Sequence, residues 1–255
     1  MILSHVAMEA DQFVPQDINT VADFNHFIES IFPPSIAAKI KNSPLYSGYQ
    51  DRQRQRLIDV ARDAFFTSNI LQLFNAYKST GKVYITAYEW PEPTYSEHAS
   101  DLISTFYHPS YAKALKAFLE SIKKKLPKSK ITLFMNLVKY FAPRYQQYFV
   151  SHAITGDPDA LRYTKDKKHY TWNPAVLNSQ GNMTQVARSM VSLFSCVPQV
   201  SSCFKEITDP VLSQVRGDFW NSVAMALSES SSSSSSSPLH SEAQVAWVPG
   251  IEEEL

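Results

Sequence analysis

The chain has 255 residues, 44% hydrophobic and 13% aromatic, with 24 basic and 24 acidic side chains and a formal net charge of zero. That length and apolar content suffice for one large core or two small ones and exclude a disordered chain. Neutral charge offers no nucleic-acid surface or polybasic membrane patch, and no apolar run reaches the ~18 residues of a membrane span.

In chain order, Met1 to Val6 predicts a short buried strand, followed by an acid-bearing loop from Ala7 to Thr20. Thr20 is placed to N-cap a helix whose apolar positions Val21, Phe24, Phe27, Ile28 and Ile31 have helical spacing. Pro33-Pro34 stops it and can start a second short helix over Ile36 to Ile40. Asp51 to Tyr77 is a long amphipathic stretch with an expected break near Thr67-Ser68-Asn69, ended by Gly81. Lys82 to Tyr88 is rich in β-branched and aromatic residues and predicts a buried strand, and Trp90-Pro91-Glu92-Pro93 then forces the loop that carries His98.

Helices are expected over Tyr111 to Leu126 and Ile131 to Ile154, with Pro143 kinking or splitting the second. Gly156-Asp157-Pro158 is a stop signal. Thr184 to Phe194 and Pro210 to Ala224 read as two last helices, in which Phe219, Trp220 and Val223 serve packing. A serine run from Ser230 to Ser237 places residues 228–255 as a disordered tail behind a globular part of residues 1–227. Strand, helices, strand, histidine loop and helices together predict an α/β fold that is mostly helical with few sheet strands, and two strands alone make no stable sheet.

Four segments, in this order, resemble the C-terminal part of the type-B carboxylesterase/lipase family, a branch of the α/β-hydrolase fold. Ser4-His5-Val6-Ala7-Met8-Glu9-Ala10 is similar to the family's acid turn, Gly-His-x-x-x-Glu-Gly. Asp63-Ala64-Phe65-Phe66 followed by Leu73 to Tyr77 resembles its D-x-x-F helix. Val83 to Trp90 with His98-Ala99-Ser100-Asp101-Leu102 resembles its last strand and histidine loop. Ala153 to Pro158 with Trp172-Asn173-Pro174 resembles its closing segment. Ser4, Ala10 and Ala99 stand where the family prefers glycine, so the acid loop is expected to be reshaped or slightly strained.

The resemblance implies a serine esterase in which His98 is the general base and Glu9 holds and orients it, with Asp101 as a supporting acid. Asp101 equally fits an ordinary acid at a helix start, and His98 and Glu9 without the surrounding motifs would pass for surface residues. The acid precedes the histidine by 89 positions (98 − 9), and a fold of this kind runs Ser, then acid, then His. The serine is missing: of the six glycines, at 48, 81, 156, 181, 217 and 250, no two lie four apart, so no Gly-x-Ser-x-Gly turn exists. The chain therefore reads as a C-terminal fragment of a carboxylic-ester hydrolase, inactive alone, for which an N-terminal half in trans would supply nucleophile and oxyanion hole. A non-catalytic binding or adhesion module built on the same fold is the rival reading.

No cofactor and no metal are expected, since His5, His26, His108, His152 and His169 have no ligand spacing with the two cysteines. Cys196 and Cys203 read most simply as two thiols, while Pro198 between them leaves a local disulfide open. Lys123-Lys124-Lys125 with Lys128 and Lys130 reads as a solvated helix end. Met1 to Val6 has no basic flank and is no signal peptide, so the compartment stays unassigned; Asn182-Met183-Thr184 is a glycosylation sequon that matters only in an exported chain.

Overall fold

Strict alternation along one strand sets the plan of the molecule. In the computed structural model, which describes residues 1–6, 9–89, 100–122, 128–161, 170–190 and 204–233, strand β2 runs Tyr84–Glu89. Its Tyr84 and Tyr88 enter one apolar cluster while Ile85 and Ala87 enter another, so both faces of the sheet are covered. β1 (Ile2–Val6) lies parallel to β2, with Val6 opposite Tyr88. β4 (Asn182–Met190) lies parallel to β2 on its other side, and β3 (Val176–Leu177) and β5 (Phe204–Ser213) pair antiparallel with β4. Among the described residues the sheet therefore has five strands, not two.

Between β1 and β2 run α1 (Val21–Ile31), α2 (Pro34–Lys41), α3 (Gln53–Arg62) and α4 (Ser68–Tyr77). Thr20 and Asp23 cap α1 reciprocally, each side chain accepting the other's backbone N–H. Instead of a break near residue 68, a five-residue π turn, Asp63–Thr67, joins α3 to α4. After β2 come α5 (Ser100–Thr105), α6 (Ala112–Ile122) and α7 (Lys128–Thr155). α7 runs 28 residues through Pro143 without splitting, and Gly156 ends it by donating its N–H to the His152 carbonyl.

The face under α5 and α7 holds an aromatic core of Tyr84, Tyr88, Phe141, Tyr145, Tyr148, Trp172 and Phe204. The opposite face packs on α4 through Leu71, Phe74, Ile85 and Val186, and beyond it α1 to α3 close over Trp220 and Val223 of the last helix, α8 (Gln214–Ser233). A Cβ on Gly217 of α8 would sit 3.1 Å from Leu71 Cδ1, so this crossing with α4 uses the missing side chain for close approach.

The last third departs from the expected helices. Residues 184–190 form β4, because Met183, Val186 and Ala187 fill the sheet core rather than one helix stripe. A left-handed Gln185 (φ 60) lies at an irregularity of the β4–β5 ladder, and the extra residue turns both Met183 and Val186 to the same side. Residues 210–213 belong to β5, where Pro210 falls in the bulge of an edge strand, a place that asks no N–H of it. α8 continues to Ser233, so residues 228–233, expected in the tail, are helical. His98, Ala99, Lys123 to Lys125, His169, Cys196, Cys203 and residues 234–255 lie outside the described residues.

Candidate active site

Parallel strands deliver their following loops to one end of a sheet, and open α/β sheets gather reactive groups there. β1 and β2 run in register from Ile2 opposite Tyr84 to Val6 opposite Tyr88, so Glu9 and the chain leaving Glu89 depart from the same end. The β1 exit is fixed locally: the Val6 N–H donates to Glu9 Oε1 at 2.9 Å, folding the carboxylate back on the strand that precedes it. Glu9 is buried, only 7% exposed. Ala10 is fully buried at φ −103, which any residue adopts, so the expected strain from lacking glycine there does not arise.

Asp101 lies in the first turn of α5, and its Oδ2 accepts the Ser4 hydroxyl at 2.8 Å. This fastens the start of α5 to β1. Behind it, Tyr88 Oη and Ser104 Oγ are 2.6 Å apart, and Gln146 of α7 donates to the Ser104 and Tyr107 carbonyls. Tyr145 is fully buried beside them; burial holds its phenol far above its ordinary range, with the Ser4 hydroxyl opposing, the Asp101 charge adding to the rise and Thr86 opposing it less. Of the three residues singled out in the sequence, Glu9 stands at the exit of β1, Asp101 stands at the start of α5 against the middle of β1, and His98 lies outside the described residues.

One histidine–carboxylate pair among the described residues was not legible in the sequence. His5 Nε2 lies 2.8 Å from Asp209 Oδ2, and both are buried. Asp209 is presented by the β5 bulge, where its other oxygen accepts the Val211 N–H at 2.9 Å. Burial opposes the charged ring of His5, but the Asp209 hydrogen bond and charge, helped by Glu9 and opposed by Arg62, leave its pKa above the ordinary 6.5. Burial likewise pushes Asp209 up, yet the His5 contact and the backbone N–H groups of Val211 and Leu212 bring it below 3.8. The Coulomb effect of Glu9 on His5 joins this pair to the Glu9 turn. Only the alternation of β1, which sends Ser4 and His5 to opposite faces, hinted that the two have different partners.

A larger ionic cluster lies deeper. Asp63 is 0% exposed and accepts from Arg62 at 3.1 and 3.2 Å, from the Tyr46 hydroxyl at 2.9 Å, and from Arg216. Trp220 Nε1 donates to Tyr46 Oη at 2.8 Å. Tyr49 donates to Asp59, and burial together with that carboxylate leaves its phenol pushed up to about 12. This network joins α3, the π turn and α8, and its charges are consumed internally.

Among the described residues no three or more His, Cys, Asp or Glu side chains are grouped to hold a metal, and no helix is long and apolar enough to cross a membrane. A surface cleft of about 450 Å³ lies between Phe74, Lys82, Val83 and Val176, at the end of β2 opposite Glu9.

No protein-family profile matches the chain. A stretch of 166 residues, 64% of the chain, is 30% identical to a secreted lipase of Arthroderma benhamiae, of which it covers 27%. The chain thus spans about a quarter of the length of that curated relative. Among solved structures, juvenile hormone esterase from Manduca sexta, with OTFP covalently attached, aligns over 88% of this chain and 41% of that one, at a TM-score of 0.44 and 12% identity.

Proposed function

We propose that this chain is the acid- and base-bearing portion of a serine carboxylic-ester hydrolase of the type-B carboxylesterase/lipase kind, with an α/β-hydrolase fold carried by residues 1–227. What supports this reading is the parallel pairing of β1 and β2, which turns the Glu9 end of β1 and the Glu89 end of β2 to the same end of the sheet. The likeness to a lipase supports the same reaction class.

In this reading His98 Nε2 takes the proton of a serine hydroxyl as it attacks the ester carbonyl and returns it to the leaving alcohol. Glu9 accepts from the His98 Nδ1–H, which sets the tautomer and favours the imidazolium. Asp101, anchored by Ser4, ties down the start of α5 three residues beyond His98, and in this reading its role is to limit where the imidazole can travel. The serine and the oxyanion donors come from polypeptide outside this chain, either upstream or in trans. The substrate is a carboxylic ester. We include export in the proposal, since the lipase relative is a secreted protein.

The pairing of Glu9 with His98 is testable without turnover. In a histidine-detected NMR titration of the full chain, Glu9→Gln should move the His98 midpoint to lower pH, because a carboxylate facing the ring favours its charged form. An identical His98 titration in Glu9→Gln and the unaltered chain, with the fold intact by circular dichroism, sinks the assignment.

A further inference from the structure

We propose that Asn182 is a site of N-linked glycosylation. This goes beyond the hydrolase reading and rests only on its export clause. Asn182-Met183-Thr184 satisfies the Asn-x-Ser/Thr pattern, and none of the other nine asparagines does.

Met183 is 0% exposed and belongs to the core between β2, β4 and α4. Alternation along a strand then sends its neighbours Asn182 and Thr184 to the side away from Met183, and both are partly exposed. Thr184 donates its hydroxyl to the Val176 carbonyl at 3.1 Å in an exposed position.

The backbone of Asn182 is held while its carboxamide is left available. Its N–H donates to Asn178 Oδ1 at 2.9 Å and its carbonyl accepts the Asn178 N–H at 2.9 Å, while the side-chain amide makes no hydrogen bond among the described residues. Both bonds close the hairpin turn between β3 and β4, in which Gly181 takes φ +75. A turn of this kind at the surface is where a bulky polar adduct is tolerated.

Asn182 is the first residue of β4, whose nine residues span roughly 25 Å at the usual rise per residue. β4 is parallel to β2 and β1, so the glycan projects from the end opposite the Glu9 exit and leaves that end open. The donor is an oligosaccharide joined through C1 to a lipid pyrophosphate. Asn182 Nδ2 bonds to C1, the C1–O bond breaks, the lipid pyrophosphate departs with the electron pair, and the amide proton passes to a base of the transferase.

The test is expression of the full chain in yeast behind a cleavable secretion leader. N-terminal sequencing selects molecules that have lost the leader and have therefore entered the lumen. Their intact mass should fall on treatment with peptide-N-glycosidase, with Asn182 converted to aspartate in the peptide map. Asn182→Gln and Thr184→Ala should both abolish the shift, and Thr184→Ser should keep it. Leader-free chain carrying an unmodified Asn182 overturns the proposal. So does a mass shift that survives Asn182→Gln. Neither result bears on the Glu9–His98 titration, so the glycan and the hydrolase reading fail separately.

Discussion

Two carboxylates end up with different partners, one a hydroxyl and the other a histidine, and the difference lies in strand alternation. Ser4 points to the α5 side and binds Asp101, whereas His5 points the other way and binds Asp209. The His5–Asp209 pair makes stability depend on pH in a definable window. His5 has its folded pKa raised above 6.5, so its contribution is complete below that value and is lost as pH rises through the folded pKa. Asp209 has its folded pKa lowered below 3.8, so its contribution is complete above that value and is lost as pH falls through the folded pKa. Between 3.8 and 6.5 both are fully present. His5→Gln leaves a buried carboxylate without its charged partner and should cost about 3–5 kcal/mol near pH 5, with a smaller loss at alkaline pH. Thermal melts of the two proteins across pH measure this, and a pH-independent difference contradicts it. Ser4→Ala removes a hydrogen bond to a partly buried carboxylate and should cost about 1–2 kcal/mol in denaturant melts.

At the scale of elements, a reciprocal side-chain cap matched its expectation, whereas a periodicity reset by a bulge did not. Thr20 and Asp23 announce the start of α1, because the cap satisfies backbone donors from within four residues. Thr20→Ala should therefore cost about 1 kcal/mol, read as a shift in the denaturant midpoint. β4 shows the opposite case. Met183, Val186, Ala187 and Met190 recur at helical spacing, and the same spacing arises in a strand once the irregularity at Gln185 resets the alternation. Pro210 was read as a helix start, yet at the bulge of an edge strand its missing N–H is no loss. Bulges defeat periodic reading because they add one residue without any cue in composition. α8 is held at its base by Asp63, which binds Arg216 directly and Trp220 through Tyr46. Asp63→Ala should leave Arg216 without its carboxylate partner and Arg62 with Asp59 alone, and cost about 3–5 kcal/mol; a melt within experimental error of the unaltered chain contradicts a stabilising role for the network.

For the whole molecule, the parallel pairing of β1 and β2 turns the Glu9 end of β1 and the Glu89 end of β2 to the same end of the sheet. Under the proposed function the purified chain should show no turnover of short-chain p-nitrophenyl esters and no covalent labelling by a fluorophosphonate, since an acyl-enzyme needs the activated serine. Labelling at any serine of this chain would contradict that. Sequence alone determined the α/β class and the capped start of α1, and singled out Glu9, His98 and Asp101 as residues to examine, because caps, alternation and short motifs act within a few positions. Only the tertiary structure decided that β4 and β5 are strands, that Asp63 anchors the last helix, and that His5 meets Asp209 across 204 positions. Such partners are chosen by which strands and helices pack together, and that packing energy is a property of the assembled sheet rather than of any window of the chain.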